Sequence, residues 1–139
     1  MRVIRSRPES VQGPADWFTG TVWFDHIAAG VSPSRLAAIS VHFTPGARTA
    51  WHAHPNGQIL HVLEGTGRLQ LRGGPVEEIR AGDTVVAEAG EWHWHGAAPR
   101  NFMTHIAMQE HGDDGAHAEW GAHVTDAEYQ SPPAQPPSR

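Results

Sequence analysis

Trp51-His52-Ala53-His54-Pro55-Asn56-Gly57-Gln58 is the stretch that decides how this chain is read. Residues i and i+2 of a β-strand point to the same face. His52 and His54 therefore present two imidazoles side by side. Pro55, Asn56 and Gly57 are turn formers that end the strand. The chain can then fold back and bring Gln58 round to the same pocket. A second cluster, Trp92-His93-Trp94-His95, follows later and repeats the alternation. Neutral imidazole is the commonest metal ligand, and oxygen donors complete sites for manganese, iron, nickel or zinc. The expectation is one metal ion closed in by both clusters, with His52, His54, Gln58 and His93 as ligands.

The composition bounds what can surround such a site. The chain has 139 residues, which suits one domain with one core. There is no cysteine, so disulfides and thiolate ligands are excluded, and a cytoplasmic setting is expected. No apolar run reaches the roughly 18 residues of a membrane span. The basic start, Met1 to Pro8, is not followed by a hydrophobic segment of secretory type. The net charge is −5, without a basic cluster beyond the first arginines, so a nucleic-acid partner is not expected. Eleven histidines against 10 lysines and arginines raise the expectation of a nitrogen and oxygen metal site.

Around the histidines the pattern is short strands and turns. Residues 1–16 read as an arm, with one short strand at Val3-Ile4. Trp17 to Phe24 reads as a strand with a bend at Gly20, and Asp25 to Ser34 as a loop. In Arg35 to Thr44, Ile39, Val41 and Phe43 alternate with Ser40, His42 and Thr44, so His42 faces away from the row that suits a core. Ala47 to His54 is a strand. Gln58 to Glu64 is another, stopped by Gly65-Thr66-Gly67, and Arg68 to Arg72 begins anew. Gly73-Gly74-Pro75 predicts a hairpin. In Asn101 to Gln109, Met103, His105, Ala107 and Gln109 share one face. Ala116 to Tyr129 reads as irregular or a short helix. Residues 130–139 hold four prolines and read as a flexible tail. Eight or more short strands with frequent turn signals predict an all-β sandwich or barrel.

The spacing carries a family resemblance. Gly46, His52, His54, Gln58 and Gly65 fall in the register of the first motif of the cupin family, with glutamine where that motif usually has glutamate. Gly82, Gly90 and His93 hold the register of the second, in which Glu88 and Ala97 replace its usual proline and asparagine. The resemblance implies a single-domain cupin β-barrel, a double-stranded β-helix or jelly roll, over residues 17–129. Within cupins the chain resembles bacterial cupin-type hydroxynitrile lyases. That likeness is carried by Gly13-Pro14-Ala15-Asp16-Trp17-Phe18-Thr19-Gly20, Pro45-Gly46-Ala47-Arg48-Thr49-Ala50-Trp51-His52, His93-Trp94-His95-Gly96-Ala97 and Met103-Thr104-His105.

This likeness implies manganese or iron on His52, His54, Gln58 and His93, with nickel or zinc as further options. It places the pocket histidine at His105 and pocket-lining positions at Ile39, Val41 and Gln109. Ile39 stands where alanine is expected. His95 shares the parity of His93 and is the second candidate base, whereas His26, His42, His61, His111, His117 and His123 match nothing and read as ordinary. An amide at position 58 leaves the charge of a divalent ion uncompensated, which favours Lewis-acid over oxidative chemistry. Three readings follow: cleavage or formation of small-molecule cyanohydrins, oxygenation or isomerisation of a small oxygenated substrate, and non-catalytic metal or ligand binding. Pairing of edge strands into a homodimer or homotetramer is expected.

Overall fold

The computed structural model describes residues 1–135. The last part of the tail expected over 130–139, positions 136–139, lies outside the described residues. Twelve strands and one short helix are present among the described residues. The strands are β1 (Val11–Gln12), β2 (Phe18–Thr19), β3 (Val22–Ala29), β4 (Leu36–Phe43), β5 (Arg48–Thr49), β6 (His52–Ala53), β7 (Gln58–Leu71), β8 (Val76–Arg80), β9 (Thr84–Ala87), β10 (His93–Ala97), β11 (Met103–Glu110) and β12 (Glu119–Trp120). The helix α1 spans Asp126–Gln130. All pairings are antiparallel. The expected all-β barrel is the observed fold. No helix among the described residues is long and apolar enough to cross a membrane.

Strand β7 joins the two halves of the barrel. Its first half pairs with β11 and β9, and its second half with β10 and β8. Gly65-Thr66-Gly67 reads from sequence as a stop, yet the strand runs through it. Gly65 takes φ +80, and a Cβ there would lie 1.8 Å from the Phe102 carbonyl oxygen. Only glycine tolerates that backbone and that approach. Beside it the register slips, so that Thr104 faces Glu64 while His105 faces Val62 and Leu63 is left over. Such a bulge bends a strand without ending its pairing. The bend carries β7 from one wall of the barrel to the other.

Other differences have similar causes. Val3-Ile4 forms no strand, and the first pairing is Val11–Gln12 on Phe24 and Trp23. The Trp17–Phe24 strand is split at Gly20-Thr21. Strand β3 then continues to Ala29, through residues that read as a loop, because β4 pairs it as far as Ala37. Ala47–His54 is interrupted at Ala50-Trp51, so β5 and β6 pair β10 as separate short pieces. Tertiary pairing overrides local propensity at each of these points.

Alternation is observed where the sequence predicts it. On β11, Met103, His105 and Ala107 are buried, and on β4 Val41 and Phe43 are buried. Phe43, Leu60, Val62 and Met103 form the floor of the barrel, each no more than 2 % exposed. A smaller apolar cluster, Trp51, Val76, Trp94, Val124 and Tyr129, holds α1 against the outside. Arg48 is buried there, donating to the Val124 carbonyl and to Asp126, each at 2.8 Å, with its guanidinium over the Tyr129 ring.

His42 lies on the opposite face of β4, as its parity predicts. It meets Asp25 through Nε2 at 2.9 Å and Thr104 through Nδ1 at 3.1 Å. Arg7 and Ser10 of the arm also donate to Asp25. The hydrogen bond from Ser10, then those from Arg7 and His42, hold the Asp25 carboxyl well below the usual carboxylate range. This carboxylate latches the N-terminal arm to the barrel.

Two stability predictions follow from these contacts. Gly65→Ala loses about 3 kcal/mol or more, from a disfavoured backbone plus a clash with Phe102, measured by urea unfolding. Asp25→Asn loses about 2 kcal/mol at pH 7, the scale of hydrogen bonds to a charged group. Because the folded carboxyl titrates below the unfolded one, its stabilisation is full above about pH 4 and is lost as pH falls further. The gap in Tm between wild type and Asp25→Asn is expected to be constant from pH 8 to 5 and to close below about pH 4.

Candidate metal centre and cavity

Strand pairing assembles the histidines. His93 on β10 is directly opposite His52 on β6, and their ring centroids are 4.4 Å apart. His54 follows β6, with its ring 5.0 Å from His52 and 5.6 Å from His93. His95 is two residues along β10, its ring 5.2 Å from that of His52. Gln58 opens β7, where it pairs with Gln109 of β11. All six of these side chains except Gln109 are buried.

The orientation of each imidazole is set by the backbone. His52 Nδ1 is 2.9 Å from the Ala50 carbonyl, His54 Nδ1 2.7 Å from that of His117, and His93 Nδ1 2.8 Å from that of Glu91. A carbonyl only accepts, so each Nδ1 carries the proton and each Nε2 keeps a lone pair. This is the tautomer of a metal-ligating histidine with its outer hydrogen bond in place. The Gln58 amide donates to Gln109 Oε1 at 3.2 Å, which turns Gln58 Oε1 toward the histidines. Gln58 Oε1 then lies 3.3 Å from His93 Nε2. Two acceptors face each other there with no proton between them. His54 Nε2 is buried with no hydrogen-bond partner.

Protonation would relieve this crowding, but burial opposes it. Desolvation pushes His52 well below the ordinary imidazole range, helped by the neighbouring His93. Desolvation likewise lowers His54 to about 4, and lowers His93. Neutral nitrogens and an amide oxygen converging on one buried point fit a divalent cation. The ligating nitrogens of His52, His93 and His95 lie within 4.8 Å of one another, so His95 reaches the same centre.

His95 and His105 form a second pair. His105 Nε2 is 3.0 Å from His95 Nδ1, and both rings are almost completely buried. Phe43 packs against both, its ring 5.9 and 5.4 Å from theirs. Desolvation lowers His105 to about 3 and holds His95 well below the ordinary imidazole range, so both are neutral near pH 7. One shared proton lies between them, while His95 Nε2 and His105 Nδ1 have no partner. In either tautomer one of those outer nitrogens holds a proton and the other a lone pair.

The centre opens on a cavity of about 710 Å³. His52, His54, Gln58, His95, His105 and Gln109 form its polar wall. Ile39 and Val41 extend this wall onto β4, where Val41 pairs with His105 and Ile39 with Ala107. His93 is set behind Gln58 and reaches instead a second cavity of about 410 Å³, which His95 also lines. The residues expected at the site line one or other of these two cavities, and the three imidazoles whose nitrogens lie within 4.8 Å of one another are His52, His93 and His95, with His95 in the place expected of His54.

Several wall residues were not expected. His26 faces the cavity because β3 continues past Asp25, so that Phe24 and His26 share the inward face opposite Val41 and Ile39; a bulge at Ile27 then shifts the register and sets Ala29 opposite Ala37. The alternation is present in the sequence, but the run Ala28-Ala29-Gly30 masks it as a loop. His117 and Trp120 arrive from an irregular segment. Trp120 is opposite His52 in the β12–β6 pairing and stacks on its ring at 4.7 Å. Ile4, Ser6 and Pro8 of the arm close one side. No local pattern signals these long-range contacts.

Comparison with known proteins agrees with this architecture. The Cupin domain family model matches residues 39–101. The chain is 54 % identical over 121 residues to a protein of Granulicella tundricola named (R)-mandelonitrile lyase, covering 87 % of this chain and 92 % of that one. Among solved structures, a cupin-like protein of Thermotoga maritima is 38 % identical, with a TM-score of 0.79, covering 93 % of this chain and 96 % of its own. A cupin-2 domain protein of Rhodospirillum rubrum shares the fold at 14 % identity, with a TM-score of 0.68 over 92 % of this chain and 82 % of that one. By motif register, barrel topology and extended identity, the chain belongs to the cupin family.

Proposed function

We propose that the protein is a metal-dependent lyase that splits a cyanohydrin into an aldehyde and hydrogen cyanide, and runs the reverse addition. The observation that carries this reading is the uncompensated lone-pair cluster of Gln58, His93, His52 and His54 beside a neutral imidazole pair on one cavity wall. The 54 % identity with a protein named (R)-mandelonitrile lyase supports the same chemistry. His52, His54, Gln58 and His93 would hold the ion, manganese or iron ahead of nickel or zinc. When bound, a divalent ion supplies Lewis-acid polarisation of a hydroxyl or carbonyl oxygen, undiminished here by any carboxylate ligand.

The chain's own groups do the rest. His105 or His95, whichever exposes its lone pair, takes the hydroxyl proton. The O–H electron pair becomes the second carbonyl bond, the carbon–carbon bond to the nitrile breaks, and its pair leaves on cyanide. The proton then passes to cyanide, completing hydrogen cyanide. Gln109 accepts from Gln58 through its oxygen, which leaves its NH₂ group to donate to the nitrile nitrogen. Ile39 and Val41 pack against the organic group and exclude water.

Elemental analysis of purified protein is expected to find about one metal per chain, sharply reduced in His93→Ala, which removes the imidazole nitrogen that faces Gln58 Oε1 and His52. Metal-loaded protein given racemic mandelonitrile is expected to release benzaldehyde enantioselectively. Background-level release from fully loaded protein, together with oxygen uptake on any substrate, would replace the lyase with an oxygenase. His105→Phe is expected to keep its metal while kcat falls about 100- to 10,000-fold, the scale of general acid–base catalysis.

A further inference from the structure

The cavity is built for more than a single ring. Its volume of about 710 Å³ falls within the range of about 300–1,000 Å³ that encloses drug-sized ligands. Small side chains create the room. Ala28 and Ala29 on β3, Ala37 on β4 and Ala107 on β11 all line it. The inward row Val41, Ile39, Ala37 runs from the level of His105 to that of Gln109. At about 3.3 Å per residue that row is about 13 Å long. A phenyl ring with one attached carbon cannot span it.

The lining also defines the polarity of the occupant. Among the described residues that line the cavity there is no Lys, Arg, Asp or Glu. Away from the metal centre, a carboxylate or phosphate on the ligand would meet no counter-charge from the lining, which is disfavoured. Most polar groups are the histidines and glutamines of the metal-centre wall; Phe24, Ile39, Ile4 and Pro8 add apolar lining, interrupted by His26 opposite Ile39 and by Ser6 of the arm. Trp120 stacks on His52, and Trp17 stacks on Trp120 at 5.0 Å with only 4° between the planes. Both indoles line the cavity and offer aromatic surface leading away from the imidazoles.

We infer that the substrate this cavity is shaped for is a neutral hydroxy or oxo compound carrying two or more linked or fused aromatic rings. Its oxygen lies at the His105 end of the row, and its outer ring lies past Ala37 and Gln109, among Ala28, Ala29 and the arm. The inference rests on the reading that the imidazole end is the reacting end.

Binding of unreactive alcohols tests this independently of turnover. Metal-loaded protein is titrated calorimetrically with 3-phenoxybenzyl alcohol, with benzyl alcohol, and with the two-ring alcohol bearing a sulfonate on its outer ring. The two-ring alcohol is expected to bind roughly 10- to 100-fold more tightly than benzyl alcohol, as burial of a second ring implies. The sulfonated probe is expected to lose that gain. Ala37→Phe and, at the more exposed position, Ala28→Trp fill the far end and are expected to reduce the two-ring preference about 10-fold. Equal affinity for the one-ring and two-ring alcohols, or undiminished binding of the sulfonate, overturns the inference. Mandelonitrile cleavage with no two-ring preference removes only the size assignment. Two-ring binding without cyanohydrin cleavage removes only the lyase reading.

Discussion

The structure depends on a set of lone pairs held together where no proton can neutralise them. Three imidazoles each commit Nδ1–H to a backbone carbonyl, and the Gln58 amide commits its NH₂ to Gln109. What remains at the centre accepts only. Buried acceptors without donors cost about 1–3 kcal/mol each, so the arrangement persists only because the barrel enforces it. Burial simultaneously lowers the imidazole pKa values, which closes the proton's way of relieving the strain. A divalent cation is a species that would satisfy these acceptors together.

The barrel enforces this by register rather than by local rigidity. β10 places His93 against β6 and His95 against Thr49, whose hydroxyl accepts the His95 amide at 3.2 Å. β7 brings Gln58 to β11 with its first half and braces β10 with its second. The Gly65 bend therefore acts on the site from a distance. If β7 ended there, Gln58 and His93 would lie on unconnected sheets. Beneath them Phe43, Leu60, Val62 and Met103 give the histidines an unyielding floor.

The absence of charge among the described cavity-lining residues is continuous with the choice of Gln58. A carboxylate at that position would offset the charge of a bound ion and would add a charge to a wall that otherwise has none. The neutral wall leaves polarisation at the imidazole end and an uncharged apolar enclosure beyond it. The arm contributes to that enclosure through Ile4 and Pro8, and it is held by Asp25 on the other side of the sheet. Enclosure and latch are thus two faces of the same strand pair.

The sequence alone determined the imidazole and amide donors of the centre and the family of the fold. The spacing of Gly46, His52, His54, Gln58 and His93 is local along the chain, and strand parity follows from a fixed two-residue period, so both can be read without coordinates. The same period put His105 and Gln109 on one face and His42 on the other. Tertiary structure decided what depends on partners distant in sequence. Whether Gly65-Thr66-Gly67 stops a strand or bends it is settled by β11 and β10 pairing on either side. Whether Ala28-Ala29 is loop or cavity wall is settled by β4. His117, Trp120 and the arm reach the cavity through contacts that no periodicity encodes. The size and neutrality of the cavity emerge only when these segments close around it, because a volume belongs to the assembled walls and not to any one strand.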